Sequence, residues 1–407
     1  MQPAELPALI ARQRPGWSLE RPFYTAPEIY EFERRGWLSE QWYILGHGSE
    51  ARELGSYIVR DLLGESLIIV RDTEGVLRGF YNVCRHRGTR ICDKDGRAAA
   101  IVCPYHSWTY RLDGSLRTAA ALPESIDTAG LGLRPVPIRE IGGIIFGSLT
   151  ADPQSLDPVQ QELTPMLHYH GIPEARIGAR RSYPTRGNWK LVIENFIECY
   201  HCFPCHPEFC TVMKFVDVAA RQATPENVAA WQQTVERWFS EKADPDSPVK
   251  RMQLHPLAET GTFLMSRAPI GGNHQTDSQD GLPVAPLMGQ LRRFDGGSTG
   301  FRLEPFVWFS CLNDHARMMQ FLPTGTDTTD VVVSWLVDGS ARETDVDVER
   351  MIWLWDVTTA QDKLIIERNA TGVRSHSYIP GPYSTLECWT TRFVSRYLRE
   401  LSAHSQS

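Results

Sequence analysis

Two short cysteine–histidine motifs, Cys84-x-His86 and Cys103-x2-His106, stand sixteen residues apart and constrain this chain more than anything else in it. Two soft thiolates and two imidazoles call for a metal. The set suits a tetrahedral zinc, or a [2Fe–2S] unit with one iron on the cysteines and the other on the histidines. Each motif supplies one Cys and one His, so two paired loops can clamp a two-iron unit from opposite sides. The loops also carry Pro104, Tyr105, Ser107 and Trp108, groups able to tune a cluster. That arrangement favours the cluster over the zinc.

The frame around the motifs reads as β. From Gly55 the runs SYIVRDL, SLIIVRD and VLRGFYNV are short, rich in β-branched and aromatic residues, and separated by Gly and Asp, as hairpins require. GGIIFGSLT closes this region near residue 150. Before it, residues 28–45 read as a helix running into a first strand. Beyond it the pattern changes to helices at 154–170, 188–202 and 225–242. The Pro/Gly-rich stretch 243–300 is unassigned and is a candidate pocket entrance. Strand-like runs follow at 304–311, 315–322 and 330–338. A long helix over 343–371 ends at Gly372, and a last one covers 388–402. The expected partition is an α+β chain. An all-β metal domain over 41–150 is inserted between an N-terminal helical part, 1–40, and the bulk of a second domain, 151–407.

Bulk properties exclude several classes. The chain has 407 residues, 42% of them hydrophobic and 22% charged, which suits a compact globular protein. A net charge of −7 argues against nucleic-acid binding. No apolar run is long enough to span a bilayer. The N-terminus, MQPAELPALIARQRPGWSLERPF, lacks a signal-peptide core, so a cytoplasmic location is expected. Nine cysteines, an odd number, favour metal ligation or free thiols over a disulfide framework.

A second metal constellation lies in NWKLVIENFIECYHCFPCHPEFC (Asn188–Cys210). Cys199, Cys202, Cys205 and Cys210 superficially follow a ferredoxin spacing, but the last interval is wrong and Pro follows His206 instead of the final Cys. The alternative is His201 with His206. On an unbroken helix residues five apart diverge by about 140°, and Pro204 and Pro207 can end the helix so that the second imidazole swings back. Two imidazoles and one carboxylate make the facial triad of non-haem Fe(II) oxygenases. The carboxylate candidates are Glu194, Glu198, Asp356 and Asp362. Asp362 shares its helix face with Met351, Trp355, Thr358, Ile365, Ile366 and Asn369. A charge on so apolar a side needs a cation. Asp356 projects from another face and reads as a solvated charge.

VCRHRGTRIC (Val83–Cys92) and CPYHSWTYRLDGSL (Cys103–Leu116) resemble the Rieske family. The resemblance implies that Cys84 and Cys103 ligate one iron and His86 and His106 the other. It leaves Cys92 as a free buried thiol. From about residue 40 to 400 the chain resembles the α-subunit of Rieske non-haem iron oxygenases. That implies a Rieske domain beside a helix-grip catalytic domain around a curved antiparallel sheet. It also implies a mononuclear Fe(II) on His201, His206 and Asp362, O2 as co-substrate, and a homotrimer. In the trimer Glu198 bridges His106 of the partner subunit to His201. No Gly-rich dinucleotide fingerprint follows a strand. A separate reductase is therefore expected, and the resemblance implies a flavin- and ferredoxin-type partner fed by NAD(P)H.

NFIECYHC carries Glu at the bridge, where ring-dihydroxylating members typically carry Asp, and is one residue shorter than their segment. It resembles the branch acting on choline, glycine betaine, proline betaine or carnitine, as does the run Trp355–Glu387. The implied reaction is hydroxylation of an N-methyl carbon, followed by loss of formaldehyde. Hydroxylation of an aromatic compound is the alternative. Phe306, Trp308, Phe309, Trp335 and Trp353 are candidate pocket walls. Each aromatic face in contact with a quaternary ammonium contributes about 0.5–2 kcal/mol. Aromatics on strands and helices are usually plain core, and that reading stands beside the pocket for each of the five.

Overall fold

A computed structural model describes residues 5–221, 224–250, 253–257 and 261–405. The chain divides into two units, Ser39–Leu156 and the combination of Met1–Leu38 with Asp157–Ser407.

The first unit is built from short antiparallel strands: β1 (Tyr43–His47), β2 (Ser56–Leu62), β3 (Glu65–Arg71), β4 (Leu77–Tyr81), β5 (Gly96–Arg97), β6 (Ile101–Val102), β7 (Thr109–Tyr110), β8 (Leu116–Thr118), β9 (Pro135–Val136), β10 (Ile138–Ile141) and β11 (Ile144–Gly147). They form open sheets in the orders β1-β11-β10, β5-β2-β3-β4-β9 and β6-β7-β8. The β2–β3 hairpin turns on Leu63 and Gly64 alone, at φ +52° and +84°. Two left-handed residues give a turn whose twist matches the strands it joins. The small core includes Ile68, Phe80, Ile101, Trp108 and Tyr110, and with them Cys84 and Cys103.

The second unit centres on an open seven-stranded sheet. Its strands are β12 (Arg176–Thr185), β13 (Gln253–Leu257), β14 (Gly261–Pro269), β15 (Gly297–Leu303), β16 (Val307–Cys311), β17 (Ala316–Gly325) and β18 (Thr328–Val337). β13 to β18 meander in sequence order, and β12 joins on the far side of β18, with every pairing antiparallel. Among the described helices are α1 (Pro27–Arg35), α2 (Asp157–Tyr169), α3 (Trp189–Phe196), α4 (Cys202–Cys205), α5 (Pro207–Val212), α6 (Pro225–Glu241), α7 (Val348–Val373) and α8 (Cys388–His404). The excursion between β12 and β13 carries α3 to α6. Against α3 and β12 lies α7, burying Met351, Leu354, Thr358, Asp362, Ile366, Ala370 and Val373, a stripe with helical spacing.

A buried ion pair ties α1 to α3 and α8. Lys190 Nζ donates to Glu33 at 2.7 Å and 2.9 Å, and Trp189 Nε1 donates at 2.8 Å. Tyr397 OH completes the set on the same carboxylate. Both charges are shut from solvent, and the surrounding donors are what make their burial tolerable.

Several boundaries differ from expectation. The helix expected over 188–202 ends at Phe196, and the 28–45 segment breaks at Gly36 into two helices before β1. The unassigned stretch 243–300 contains β13, β14 and the start of β15, so part of it is sheet. The long helix begins at Val348 and runs through Gly372, which sits in its last turn. No described helix is long and apolar enough to cross a membrane.

Candidate metal centres and cavity

In the first unit the two ligand loops are copies of one turn. Cys84 N donates to Thr89 O and Cys103 N to Trp108 O, each at 2.8 Å. Gly88 N and Ser107 N donate back to the carbonyls of Cys84 and Cys103, each at 3.0 Å. Gly88 and Ser107 both take a left-handed φ, +79° and +58°, which closes each turn tightly. The shared geometry sends each cysteine into the core and each histidine outward. Cys84 and Cys103 are buried, while His86 and His106 are exposed with ring centroids 4.7 Å apart.

Neighbouring rings hold the imidazoles. His86 stacks on Trp108 at 4.7 Å, and His106 on Tyr105 at 3.8 Å. Tyr110 OH accepts from Arg85 N at 3.0 Å and lies 3.2 Å from Cys84 Sγ, so it can donate to that sulfur once the thiol is ionised to bind a metal. Burial and the cysteine push the Tyr110 phenol up. Cys92 is a free thiol but only partly buried. A single tetrahedral zinc needs its donors packed closely. Among the described residues, the group with three donor atoms within 4.8 Å of one another is His201, His206 and Asp362 and not this quartet. Buried cysteines beneath exposed histidines suit a two-iron unit with the thiolates on one iron and the imidazoles on the other.

That second group is assembled by three breaks in the chain. Asn188 caps α3 by accepting from Lys190 N, and α3 stops before Ile197. His201 follows in a turn and His206 sits between α4 and α5 at φ −127°, ψ 69°. Pro207 opens α5 and disfavours helical geometry at His206. Pro204 lies inside α4, so Pro207 marks the break and Pro204 does not. The two rings end with centroids 5.1 Å apart.

The third donor, Asp362, comes from α7. Its Oδ1 faces His201 Nε2 at 3.2 Å and His206 Nε2 at 3.0 Å, and accepts from Asn195 Nδ2 at 2.7 Å. The outer ring nitrogens are anchored too. His201 Nδ1 meets Glu198 Oε1 at 2.5 Å, and His206 Nδ1 meets Gln361 Oε1 at 2.9 Å. Gln361 in turn donates to Glu208 at 2.9 Å. Both imidazoles therefore present Nε2 to one point, the arrangement a metal requires. Burial works to lower the His201 pKa, but the bonds to Asp362 and Glu198 outweigh it and lift the group to about 9. Burial likewise opposes ionisation of Asp362, and the two histidines override it and hold the carboxyl low. Three converging donors with surplus negative charge fit a divalent cation with open positions, as a mononuclear iron needs.

The other candidates are engaged elsewhere. Glu194 accepts from Tyr24 OH at 2.9 Å and Tyr383 OH at 3.3 Å. Asp356 is partly buried and accepts from Tyr183 OH at 2.5 Å, so it is not the solvated charge expected. Cys199 and Cys202 form a disulfide, and Cys205 and Cys210 are free, an arrangement that leaves no four-thiolate set. Asn369, expected on the buried face of α7, is exposed.

Phe209 on α5, a ring neighbour of His206, also lines a cavity of about 930 Å³. Its ring lies 6.4 Å from that of His206 and 5.5 Å from that of Trp355. The alternate residues of β15 and β16 that line the cavity floor, Ser298, Gly300, Arg302, Trp308 and Ser310, are only partly buried, while the residues between them are fully buried. Of the expected aromatic walls, Trp308 and Phe309 line the cavity. Phe306 packs among Trp37 and Trp189, Trp335 is fully buried core, and Trp353 packs with the cluster around Phe209 and Leu354. Phe209, Trp355, Asn195 and Gln361 were not singled out from sequence. Gln361 precedes Asp362 directly, and Phe209 and Asn195 flank the histidine segment, so adjacency was the available signal.

Residues 41–134 match the Rieske [2Fe-2S] domain, and residues 173–403 match the ring hydroxylating alpha subunit (catalytic domain). The chain is 35% identical to a glycine betaine monooxygenase oxygenase subunit of Chromohalobacter salexigens, over 95% of this chain and 87% of that one. It is 33% identical to the protein of the same description from Pseudomonas aeruginosa, over 95% and 91%. A carnitine monooxygenase oxygenase subunit of Acinetobacter pittii is 31% identical over 64% of this chain and 70% of its own. Among solved structures, a quaternary ammonium Rieske monooxygenase superposes with a TM-score of 0.70 at 23% identity, covering 98% of each chain. A naphthalene 1,2-dioxygenase gives 0.66 at 18%, covering 97% and 95%. These two likenesses speak for the fold alone.

Proposed function

The chain belongs to the ring-hydroxylating oxygenase α-subunit family and carries its Rieske [2Fe–2S] domain, and on that premise we propose that it demethylates a betaine-like quaternary ammonium compound. It is a Rieske non-haem iron oxygenase, with a [2Fe–2S] cluster and a mononuclear iron as its cofactors. When bound, the cluster supplies single electrons and the mononuclear iron activates O2 toward a C–H bond.

The residue assignments are part of the proposal. Cys84 and Cys103 hold one iron of the cluster and His86 and His106 the other, within a Rieske domain of residues 41–150. His201, His206 and Asp362 hold the mononuclear iron in a catalytic domain formed by 1–40 and 151–407. Glu198, on the Nδ1 of His201, carries the electron from His106 of the partner subunit in a homotrimer. The exposure of His86 and His106 supports that role, because a donor that works across a boundary has to be reachable. Reducing equivalents come from NAD(P)H through a separate flavin- and ferredoxin-type reductase.

The observation that carries the substrate reading is the aromatic cavity lined by Phe209, whose ring lies 6.4 Å from that of His206. Aromatic faces attract a quaternary ammonium and exclude water from the reacting carbon. The reaction consumes O2, two electrons and two protons per N-methyl group. It yields an N-hydroxymethyl group and water. The carbon–nitrogen bond then breaks, releasing formaldehyde and a proton and leaving the tertiary amine. Purified protein with a surrogate reductase should release formaldehyde from betaines. Hydroxylated arenes with no formaldehyde from any N-methyl compound would overturn the reading in favour of an aromatic hydroxylase.

A further inference from the structure

Three arginines line the cavity, and two of them are neutralised within the protein. Arg267 pairs with Asp295 and donates to Thr299. Arg317 pairs with Asp277 and donates to Ser310. Arg302 differs. Among the described residues it makes no hydrogen bond or ion pair, and its Nη1 is closed off from solvent without a partner. Glu304, two residues along, offsets the charge only through space, and the buried Nη1 still lacks a hydrogen-bond acceptor.

Its placement follows from strand register. Arg302 stands on the cavity face of β15, in line with Ser298 and Gly300 and directly opposite Trp308 of β16. The guanidinium lies 4.4 Å from the centre of the Trp308 ring. The indole N–H of Trp308 is likewise buried without a partner. Two unsatisfied donors therefore stand together on the cavity floor with no acceptor in reach. Both belong to side chains whose hydrogens only donate, so only an acceptor can complete them.

The cavity also has a direction. Phe209, whose ring lies 6.4 Å from that of His206, marks the metal side, and Trp355 packs against it. The Arg317 guanidinium lies 4.3 Å from the Trp355 ring and bonds Ser310, which is two residues along β16 from Trp308. Arg302 and Trp308 stand on the same floor, where Trp308 packs on Phe196 of α3 at 6.2 Å. A molecule that places an N-methyl group at the metal end can place its other end on this pair.

We propose that Arg302, with the indole N–H of Trp308, is the anchor for a substrate carboxylate. The preferred substrates are then zwitterions carrying both an N-methyl ammonium and a carboxylate, in preference to simple cations such as choline. This deepens the demethylase reading and rests on it. A planar guanidinium matches a carboxylate with paired, charge-assisted hydrogen bonds, a geometry that an ammonium cannot copy fully.

Calorimetric binding to the full protein separates the possibilities, using glycine betaine, choline, which bears a hydroxyl in place of the carboxylate, and benzoate, which lacks the ammonium. Arg302→Gln should weaken glycine betaine by about tenfold or more while choline stays within about twofold, and Arg302→Lys should recover part of the loss. A far-ultraviolet circular dichroism spectrum and thermal melt like those of the wild type report that the variants are folded. Glycine betaine binding within about twofold of wild type in Arg302→Gln would overturn the anchor, as would choline binding wild type as tightly as glycine betaine. Arg302-dependent carboxylate binding with no formaldehyde release would leave the anchor standing and remove the demethylase reading. Formaldehyde release from betaines that is indifferent to Arg302→Gln would do the reverse.

Discussion

Asp362 Oδ1 faces two imidazoles and an amide, and each of those groups has a different fate if the carboxylate is removed. Asp362→Ala should abolish mononuclear iron by metal analysis while the Rieske absorption and EPR signals persist, because the two centres are built in separate units. Retained iron and turnover would show that another carboxylate serves. Tyr110 offers a residue-scale test in the other centre. Its hydroxyl directs a hydrogen bond at Cys84 Sγ, which stabilises the reduced, more negative cluster. A hydrogen bond has a net worth of about 0.5–1.5 kcal/mol, so Tyr110→Phe should lower the cluster potential by about 20–65 mV in protein-film voltammetry. Both positions differ in legibility. Asp362 was readable because a charge in an apolar helical stripe needs a partner. Tyr110 was not singled out, because its role depends on a loop folding back over it.

At the scale of elements, α3 shows where pattern reading overshoots. The apolar spacing of its segment runs on toward His201, but the chain leaves the helix at Ile197, and Glu198 then turns back to bond the His201 ring. Local propensity could not announce that, since the competing bonds are formed by side chains several residues apart. The buried pair on the same helix gives a stability test. Lys190→Met leaves Glu33 charged and buried, and should cost about 3–5 kcal/mol in denaturant unfolding. Glu194, also on α3, gives a pH test. Burial raises its carboxyl to about 7 despite hydrogen bonds from Tyr24 and Tyr383. Between the ordinary glutamate pKa and that value the folded state keeps a proton the unfolded chain has lost. This contribution to stability is complete below the ordinary value and is lost as pH rises through about 7. Thermal melts between those limits should flatten in Glu194→Gln, and an unchanged slope would exclude the group. The sheet edge at β13 and β14 was illegible for another reason. The strands sit in Pro/Gly-rich surroundings, and β14 finds its second partner, β15, only beyond that stretch.

At the scale of the whole molecule, the proposed path from His106 of the partner subunit through Glu198 to His201 can be tested by complementation. A Cys103→Ser chain lacks a competent cluster and an Asp362→Ala chain lacks the mononuclear iron, so each alone should be inactive. Co-expressed and purified as mixed assemblies, they should recover measurable formaldehyde release, because an intact cluster can face an intact iron site across a boundary. No recovery in assemblies shown to contain both chains would confine electron transfer to one chain.

The sequence by itself determined the chemistry that the chain can hold. Ligand type and spacing at Cys84, His86, Cys103 and His106, the histidine pair at 201 and 206, and the period of the 348–373 helix are local properties, so they survive without a fold. Only the tertiary structure decided what those groups meet. That Asp362 meets both imidazoles at one oxygen, which aromatics line a cavity and which merely fill the core, and which of three arginines keeps a buried donor without an acceptor all depend on strands and helices brought together from distant parts of the chain. Burial and register are properties of that assembly, and no single segment contains them.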